Sequence, residues 1–584
     1  MKKQLFKTMA LALCLTAGMS AFASCGAVER PDSQEEVDVT KTQLNVGVWE
    51  GGFRYNWLKE DWAKEFERLH AETVFEEGKK GVQVNVTPSK NYALENVPTV
   101  IKGSTDHVII SEQTNTFGFV RENSALDITD ILTTPLTEYG ETRSIVDKMR
   151  ETDRAFYGGL KGATSEADYQ YVALPWYASF FGINYDVELF EDNNYYFAAE
   201  GTGVNGFVTS LDAPKSNGPD GKPNTSDDGL PATFDDFFKL CDKMVQDGVT
   251  PMVWTGAVKD YMNYFTASLA NDVVGFEQAQ LNYTLDGTVA DTLVESIDAN
   301  GNITYMDPVA ITNENGYLMQ KQEGRYYAFK FLEKLLTTRD EKGNTVYINE
   351  ADCTSTTGGH MAVQTKFLES RNKSQDNPNV KPIAMLAEGS WWYNEAKPTF
   401  DSNASIPGMG MNERRIGFMP MPKPTADYAG EATYTNTWIT NIVINANTPA
   451  SSLAAAKQFV RFIHTDWALS RFTTVANGIR PFDYQLTEED AANASYFAKQ
   501  ALDIYQNSDI VNPWSSNPLV YNNLASFVGN YDSKAGGSTH TTVVEGLASL
   551  AKTSATPALD YFNGLSAYWT ESNWNTTFAT YLEN

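Results

Sequence analysis

The chain has 584 residues, of which 42% are hydrophobic and 12% aromatic, and its formal net charge is −29. This composition supplies a large packed core and more than one domain, and it excludes a disordered protein, a small disulfide scaffold and a coiled coil. So acidic a surface repels phosphate backbones, which excludes nucleic acid as an expected partner and also excludes binding to an anionic membrane through charge. Five histidines and four cysteines are too few and too scattered to indicate a zinc, haem or iron–sulfur cofactor.

Residues 1–24 are typical of a secretory signal peptide. Three lysines precede an apolar run over residues 9–23, which is too short to remain as a membrane-spanning helix. The run ends in Phe-Ala-Ser-Cys-Gly, which resembles a bacterial lipobox, and the alternative is an ordinary signal peptide with a chance cysteine. We expect acylation of Cys25, with residues 25–40 as a tether at the outer face of the cytoplasmic membrane.

The body begins with alternating strand and helix patterns. A short strand at 44–49 ends before Gly51 and Gly52, and apolar residues then recur at helical spacing over 58–69. Two further strands are predicted at 82–86 and 107–110. This order predicts an open, mostly parallel sheet, whose ligands bind in the loops at the carboxyl ends of the strands.

A second unit follows an extended apolar segment at 171–185. A helix with Thr233 as its N-cap, a strand at 381–386 and a helix with Thr448 as its N-cap come next. The tail, 491–584, contains several helical stretches separated by Asn, Pro and Gly.

Two cysteines, Cys241 and Cys353, belong to the body of the chain. Cys241 lies on the apolar face of the helix that begins after Thr233, which favours a buried free thiol. A disulfide between the two stays open, because a single pair cannot be argued from sequence.

The run 220–229 is rich in glycine and carboxylates and could wrap a structural calcium ion, which takes six to eight oxygen ligands. The candidate ligands are Asp220, Asn224, Asp227 and Asp228. Lys222 stands where an EF-hand-type loop needs an oxygen, so a polar turn before a capped helix is the alternative.

Five segments, in chain order, resemble the extracellular solute-binding proteins of ABC importers, specifically the carbohydrate-type family 1. They are Ala-Leu-Pro-Trp-Tyr to Gly-Ile-Asn-Tyr at 173–185, Thr-Phe-Asp-Asp-Phe at 233–237, Ala-Met-Leu to Gly-Ser-Trp at 384–391, Ile-Gly-Phe-Met-Pro-Met-Pro at 416–422 and Ala-Ala-Ala-Lys-Gln-Phe at 454–459. Phe234 replaces the family's tryptophan in the second of them.

The resemblance implies a two-lobed, periplasmic-binding-protein-like α/β fold with mostly parallel sheets, helices on both faces and a hinge of two or three crossings. Lobe I is expected at 41–178 and 436–490, and lobe II at 179–435 and 491–584. It also implies a binding protein rather than an enzyme. The expected partners are a carbohydrate ligand and the transmembrane subunits of an ABC permease, and a monomer is expected.

A sugar offers an apolar ring face and a fringe of hydroxyls, which aromatic rings and carboxylate or amide side chains recognise at strand ends and hinges. The candidates are Trp49, Glu50, Glu112, Gln113, Trp176, Tyr177, Trp391, Trp392, Asn436, Trp438 and Arg480. For each aromatic residue the alternative is a packing role. Strand alternation places one of Trp391 and Trp392 in the core.

The leading functional hypothesis is capture of a sugar or oligosaccharide by hinge closure and its delivery to a permease. A secreted glycoside hydrolase is one alternative, and it needs two carboxylates that face each other across the bond. A polysaccharide-binding surface lipoprotein without a permease is the other.

Overall fold

The computed structural model describes residues 36–93, 96–163, 165–298, 300–355, 357–372, 380–523, 527 and 542–582. The signal peptide and Cys25 lie outside these residues, so their processing stays a prediction. Among the described residues, every helix is too short or too polar to span a lipid bilayer.

The strands of the described residues are numbered in chain order. They are β1 Thr42–Trp49, β2 Val82–Ser89, β3 Val108–Glu112, β4 Phe181–Asp186, β5 Thr250–Val253, β6 Val289–Ala290, β7 Val294–Ile297, β8 Ile303–Tyr305, β9 Val309–Ala310, β10 Ile383–Gly389, β11 Ile416–Met419, β12 Thr433–Thr435, β13 Thr440–Ile444 and β14 Asp509–Val511.

The α-helices are numbered in the same way, and short 3₁₀ turns connect several of them. They are α1 Lys64–Leu69, α2 Val97–Val100, α3 Phe117–Arg121, α4 Thr129–Thr133, α5 Glu151–Gly159, α6 Val187–Asn193, α7 Phe234–Gln246, α8 Asp260–Thr284, α9 Glu323–Thr337, α10 Glu350–Thr354, α11 Gly359–Glu369, α12 Trp392–Glu395, α13 Lys397–Asn403, α14 Ala450–Phe462, α15 Asp466–Ala476, α16 Glu488–Asn493, α17 Tyr496–Asn507, α18 Pro518–Tyr521, α19 Val543–Leu550, α20 Pro557–Tyr568 and α21 Glu571–Leu582.

Two four-stranded sheets form the centres of two α/β lobes, which confirms the predicted two-lobed fold. In lobe I the order is β13-β3-β1-β2, with β1 parallel to β2 and β3, and β13 antiparallel to β3. In lobe II the order is β11-β4-β10-β5, and only β10 and β5 are parallel. The expectation of a mostly parallel sheet is therefore wrong for lobe II. There β4 runs opposite to both of its neighbours.

Three crossings of the chain between the lobes lie side by side. The first passes from Leu174, which pairs with Ile442 of lobe I, into β4 of lobe II. The second passes from β12 to β13, and Thr437 N donates to Ser179 O of the first crossing at 2.7 Å. The third, β14, pairs in parallel with β12. The crossings are thus hydrogen-bonded to one another, as a hinge requires, while the expected lobe limits stay a prediction.

Local sequence signals predict two capped helix starts, of which one is confirmed. The capping box at α7 is confirmed, since Thr233 Oγ1 accepts from Asp236 N at 3.1 Å and Asp236 Oδ2 accepts from Thr233 N at 3.1 Å. The Thr448 cap is wrong, because Pro449 is the N-cap of α14 and the Thr448 hydroxyl donates to the Asn445 carbonyl at 2.7 Å. The helix predicted from Leu58 begins with a π-helical turn.

The buried residues form two hydrophobic clusters. The larger one fills both lobes, and both cysteines are buried in it as free thiols, which confirms the prediction for Cys241. The smaller one joins part of the 279–319 region to the tail, where Trp574 packs against Trp569 and Phe578 at ring distances of 5.6 and 4.6 Å. The tail therefore packs on a segment that is far from it in sequence.

Candidate functional site

The carboxyl ends of β1 and β3 in lobe I face the carboxyl end of β10 in lobe II. The lobes touch there, since Asn394 Nδ2 donates to Gly52 O at 3.2 Å. A Cβ atom on Gly52 would lie only 3.2 Å from Glu395 Oε1 and 3.2 Å from Trp391 Cβ. The glycine after β1 thus permits a close approach. We call this inter-lobe contact the seam, with Gly52, Glu112, Trp391, Asn394 and Glu395 as its defining residues.

Lobe I contributes one buried carboxyl group to the seam. Glu112, the last residue of β3, is 7% exposed, and the Tyr177 hydroxyl donates to its Oε2. Burial raises the pKa of Glu112 to about 7, with the charge of Glu395 acting in the same direction and the Tyr177 hydrogen bond opposing both. Trp49 is half-buried, and its Nε1, which is excluded from solvent, also acts to lower the pKa of Glu112.

Lobe II contributes two carboxyl groups, which share one amide. Gln364 Nε2, from α11, lies 3.0 Å from Glu395 Oε2 and 3.5 Å from Glu388 Oε2. His360 Nε2 lies 3.6 Å from Glu395 Oε2. Burial raises the pKa of both glutamates, and the charge of Glu395 raises that of Glu388 further. Two such groups at one site resist simultaneous ionisation unless a cation or donors compensate them.

Aromatic rings line the lobe II side of the seam. Trp391 lies directly before α12, 5.8 Å from the ring of Tyr261 and 5.7 Å from that of Trp438. Trp438 is half-buried and lies 5.2 Å from Tyr264. The two tyrosines come from α8. An indole and phenol surface thus continues from the second crossing to the carboxyl groups.

Trp176 and Arg480 lie in the core of lobe I rather than at the seam. Trp176 is stacked on Trp57 at 5.5 Å and lies 5.0 Å from the ring of Phe472. The Arg480 guanidinium lies 5.3 Å from the Trp176 ring and donates to His464 Nε2 at 2.8 Å. Because Arg480 is fully buried, these contacts leave no surface for a ligand.

As expected, one of the adjacent residues Trp391 and Trp392 lies in the core and the other at the seam, although the reason differs from the predicted one. Trp392 is fully buried and its Nε1 donates to Asn184 Oδ1 at 2.9 Å in the core of lobe II. Strand alternation does not separate the two rings, because the pair stands at the start of α12.

Asn436 belongs to the hinge. Its Oδ1 accepts from Ser179 N at 3.0 Å, and its Nδ2 donates to Asn512 Oδ1 at 3.2 Å. Asn512 Nδ2 in turn donates to Asp153 Oδ1 of lobe I at 3.0 Å. The three crossings are therefore joined by a chain of amides that ends on a buried carboxyl group. Burial raises the pKa of Asp153 to about 6.

Glu50 and Gln113 are exposed in the loops that follow β1 and β3. Gln113 has a left-handed backbone, φ 54°, and its N–H donates to Ile439 O at 2.8 Å, next to Trp438. Their roles as ligand contacts stay predictions.

Sequence reasoning missed several residues of the seam. Glu388 ends a predicted strand in the same way as Glu112, so the strand-end signal was sufficient to find it. Gln364 and Glu395 lie on helices, which the search for loop residues excluded, and no local pattern distinguishes them. Tyr261 and Tyr264 share this position on a helix.

The candidate calcium run forms a set of hydrogen-bonded turns. Asp227 Oδ2 accepts from Asp220 N at 3.1 Å, and Asp228 Oδ2 accepts from Asn224 N at 2.9 Å. Among the described residues, no group of three or more His, Cys, Asp or Glu is arranged to hold a metal ion. The calcium site stays a prediction.

Residues 55–334 match the model of the bacterial extracellular solute-binding proteins. No curated protein sequence matches the chain. Similar solved structures include apo RafE from Streptococcus pneumoniae, 14% identical, with 92% of this chain and 100% of that chain covered and a TM-score of 0.48. Maltose-bound MalE3 of T. maritima is 13% identical, with coverages of 90% and 98% and a TM-score of 0.49. The mannobiose complex of a binding protein from Bifidobacterium animalis subsp. lactis is 15% identical, with coverages of 91% and 95% and a TM-score of 0.47.

Proposed function

Since residues 55–334 place the chain among the bacterial extracellular solute-binding proteins, we propose that it captures a sugar or oligosaccharide at the seam and delivers it to the permease of an ABC importer. The family consists of binding proteins that act outside the cytoplasm. In this proposal Cys25 is acylated and holds the chain at the outer face of the membrane.

The observation that carries the proposal is the combination of groups at the seam. Trp391, Trp438 and Tyr264 present contiguous aromatic rings, which cover the apolar face of a pyranose. Glu112 and Glu395 reach the same contact from opposite lobes and accept hydrogen bonds from hydroxyl groups. A sugar is the class of ligand that needs both kinds of group at once.

Closure of the lobes around the ligand is the proposed mechanism. In the described conformation the two lobes are closed and contact each other directly, because Asn394 of lobe II donates a hydrogen bond to Gly52 of lobe I. Rotation about the three crossings separates these walls and exposes the rings, and a bound sugar replaces the direct contacts. A micromolar dissociation constant, about −8 kcal/mol, suffices for capture followed by release to a permease.

The direct test is titration calorimetry of the ligand-free protein against a panel of neutral mono- and oligosaccharides. We expect saturable heat from at least one sugar, together with a change in the small-angle scattering curve of the same sample. Absence of binding to every sugar, with binding of a peptide instead, would contradict the sugar proposal.

A glycoside hydrolase is the second candidate, and one observation favours it. Glu112 and Glu395 approach the seam from different lobes, and the pKa of Glu112 is raised to about 7, as a general acid requires. We expect no release of reducing sugar when the purified protein is incubated with the oligosaccharides of the panel. Sustained release that disappears in the Glu112→Gln variant would support the hydrolase instead.

The role in import requires a permease. We expect permease genes beside the gene for this chain, and loss of uptake of the bound sugar when either is deleted. Sugar binding without such genes would favour the permease-free surface lipoprotein.

A further inference from the structure

Within the described residues, the carboxyl groups of the seam outnumber the basic groups close to them. Glu112, Glu388 and Glu395 are brought together there, and within the described part of the chain no Lys or Arg nitrogen lies within 4.0 Å of their oxygens. His360, 3.6 Å from Glu395, is the neighbouring titratable base. Arg54 lowers the pKa of Glu395 through its charge but is half-exposed and forms no ion pair with it. The site therefore holds more carboxyl groups than cations, and burial favours their protonated forms.

Gln364 is a second and independent observation. Its side chain is 1% exposed, and its Oε1 is excluded from solvent without a hydrogen-bond partner in the described residues. Oε1 belongs to the amide whose nitrogen contacts Glu388 and Glu395, so this unpaired acceptor lies beside the two carboxyl groups. A buried carbonyl oxygen without a donor is unfavourable, which indicates that a donor from outside the chain completes the site.

We infer that the ligand carries an amine beside its sugar ring, as an amino sugar does, and that Glu388, Glu395 and Gln364 Oε1 receive its ammonium group. An ammonium group has one positive charge and three N–H donors, which match two carboxylates and one carbonyl oxygen. Its charge also allows these buried carboxyl groups to ionise, which the hydroxyl of a neutral sugar cannot do. The inference rests on the proposed function, because the rings of Trp391 and Trp438 are assigned to the sugar.

Glu112 links binding of the amine to closure of the two lobes. It approaches from lobe I, whereas the two carboxylates that receive the ammonium belong to lobe II. Without a cation the three carboxyl groups cannot all ionise, and with one bound the ionised carboxylates of both lobes are attracted to it. An amine therefore favours the closed form more than a neutral sugar does.

A matched series of ligands tests the inference. The ligand-free protein is titrated at pH 7 with glucosamine, N-acetylglucosamine and glucose, with the corresponding galacto series, with the β-1,4-linked dimers of the gluco series, and with putrescine. We expect an amino sugar to bind at least about tenfold more tightly than its acetylated and neutral counterparts, with the advantage falling between 50 and 500 mM NaCl.

The outcomes separate the inference from the proposed function. Neutral sugars that bind as tightly as the amino sugars overturn the inference and leave sugar capture intact. Putrescine binding as tightly as any amino sugar supports the cation site and contradicts the sugar part. Absence of binding by the whole series overturns the inference.

Variants of the two carboxylates give a second readout. In the Glu388→Gln, Glu395→Gln double variant we expect the advantage of the amine to fall to within about threefold, because the charge is lost and the shape is kept. We expect the midpoint of thermal unfolding of the ligand-free double variant to stay within about 2 °C of that of the wild type, since amides replace carboxyl groups that burial keeps largely protonated. Glu489→Gln, on the exposed outer face of lobe I, is the control and changes neither. A lower midpoint with the amine preference intact would make these carboxyl groups structural and overturn the inference.

Discussion

On lobe I, Trp176 and its neighbours Trp57, Trp62 and Phe472 form a closed aromatic core behind the seam, and Glu112 is the buried carboxyl group that reaches the contact. On lobe II the rings of Trp391 and Trp438 stand at the contact itself, together with two carboxyl groups and an unpaired amide oxygen. Both regions are rich in tryptophan, but the rings of lobe I enclose one another and the Arg480 guanidinium, whereas the rings of lobe II lie beside carboxyl groups at the contact. The comparison shows that the polar groups around an aromatic ring indicate whether it packs in the core or binds a ligand, and that the ring alone does not.

The largest expected effect is on the free energy of unfolding, and it comes from the core of lobe I. Trp176→Ala removes a ring packed against Trp57 and Phe472, and a buried cavity of this size costs about 3–5 kcal/mol of unfolding free energy. Urea unfolding followed by far-UV circular dichroism measures it. A variant that keeps its stability but loses sugar binding would show that Trp176 belongs to the binding site and not to the core.

The next largest effect is on how the free energy of unfolding depends on pH. The pKa of Glu112 is raised from 4.5 to about 7 in the folded chain, so its contribution to stability is full below pH 4.5 and is lost as the pH rises through 7. Relative to Glu112→Gln, the wild type should therefore lose about 3 kcal/mol of unfolding free energy between pH 4.5 and 7.5. Unfolding of both proteins in urea at a series of pH values checks this, and parallel curves would contradict it.

A smaller effect, confined to binding, is expected at the lobe II wall. Trp438→Ala removes a half-buried ring at the seam, so we expect the dissociation constant for the bound sugar to rise about 30-fold, or about 2 kcal/mol. Calorimetry measures the loss. Trp467→Ala, whose ring is 36% exposed on lobe I beside α16, is the matched control and should leave affinity unchanged. If both variants lost the same amount of affinity, the ring at the seam would contribute no more to binding than a ring on the outer face.

The smallest effect is expected at the hinge between the two regions. Asn436→Ala breaks the amide chain from Ser179 to Asn512, which costs about 1 kcal/mol of the closed form. Small-angle scattering of the ligand-free variant should show a larger radius of gyration. The exposed Asn493→Ala serves as the control. An unchanged scattering curve would make Asn436 a packing residue without influence on closure.

Much of the fold follows from local patterns. The strands near 44–49, 82–86 and 107–110 are present because each is a short apolar run bounded by turn residues. The capping box at Thr233 depends on a spacing of three residues. The direction of β4 was not predictable in this way, since it is set by how the first crossing enters lobe II.

The candidate site was only partly accessible from sequence. Glu112 and Trp391 follow strands, and the rule that ligands bind at strand ends identifies them. Arg480 satisfies a similar rule, but it is buried between Trp62 and Trp176 because α15 and the first crossing enclose it. Gln364 and Glu395 were missed because a helical side chain reaches a site only through the packing of its helix.

By itself, the amino-acid sequence determined the alternation of strands and helices, the capped start of α7 and the two-unit order of the chain, because these depend on residues a few positions apart. The tertiary structure alone decided which tryptophans stand at the seam and which carboxyl groups meet there. Those contacts join residues that are hundreds of positions apart, such as Gly52 and Asn394. Their burial and charge exist only once the two lobes have closed on each other.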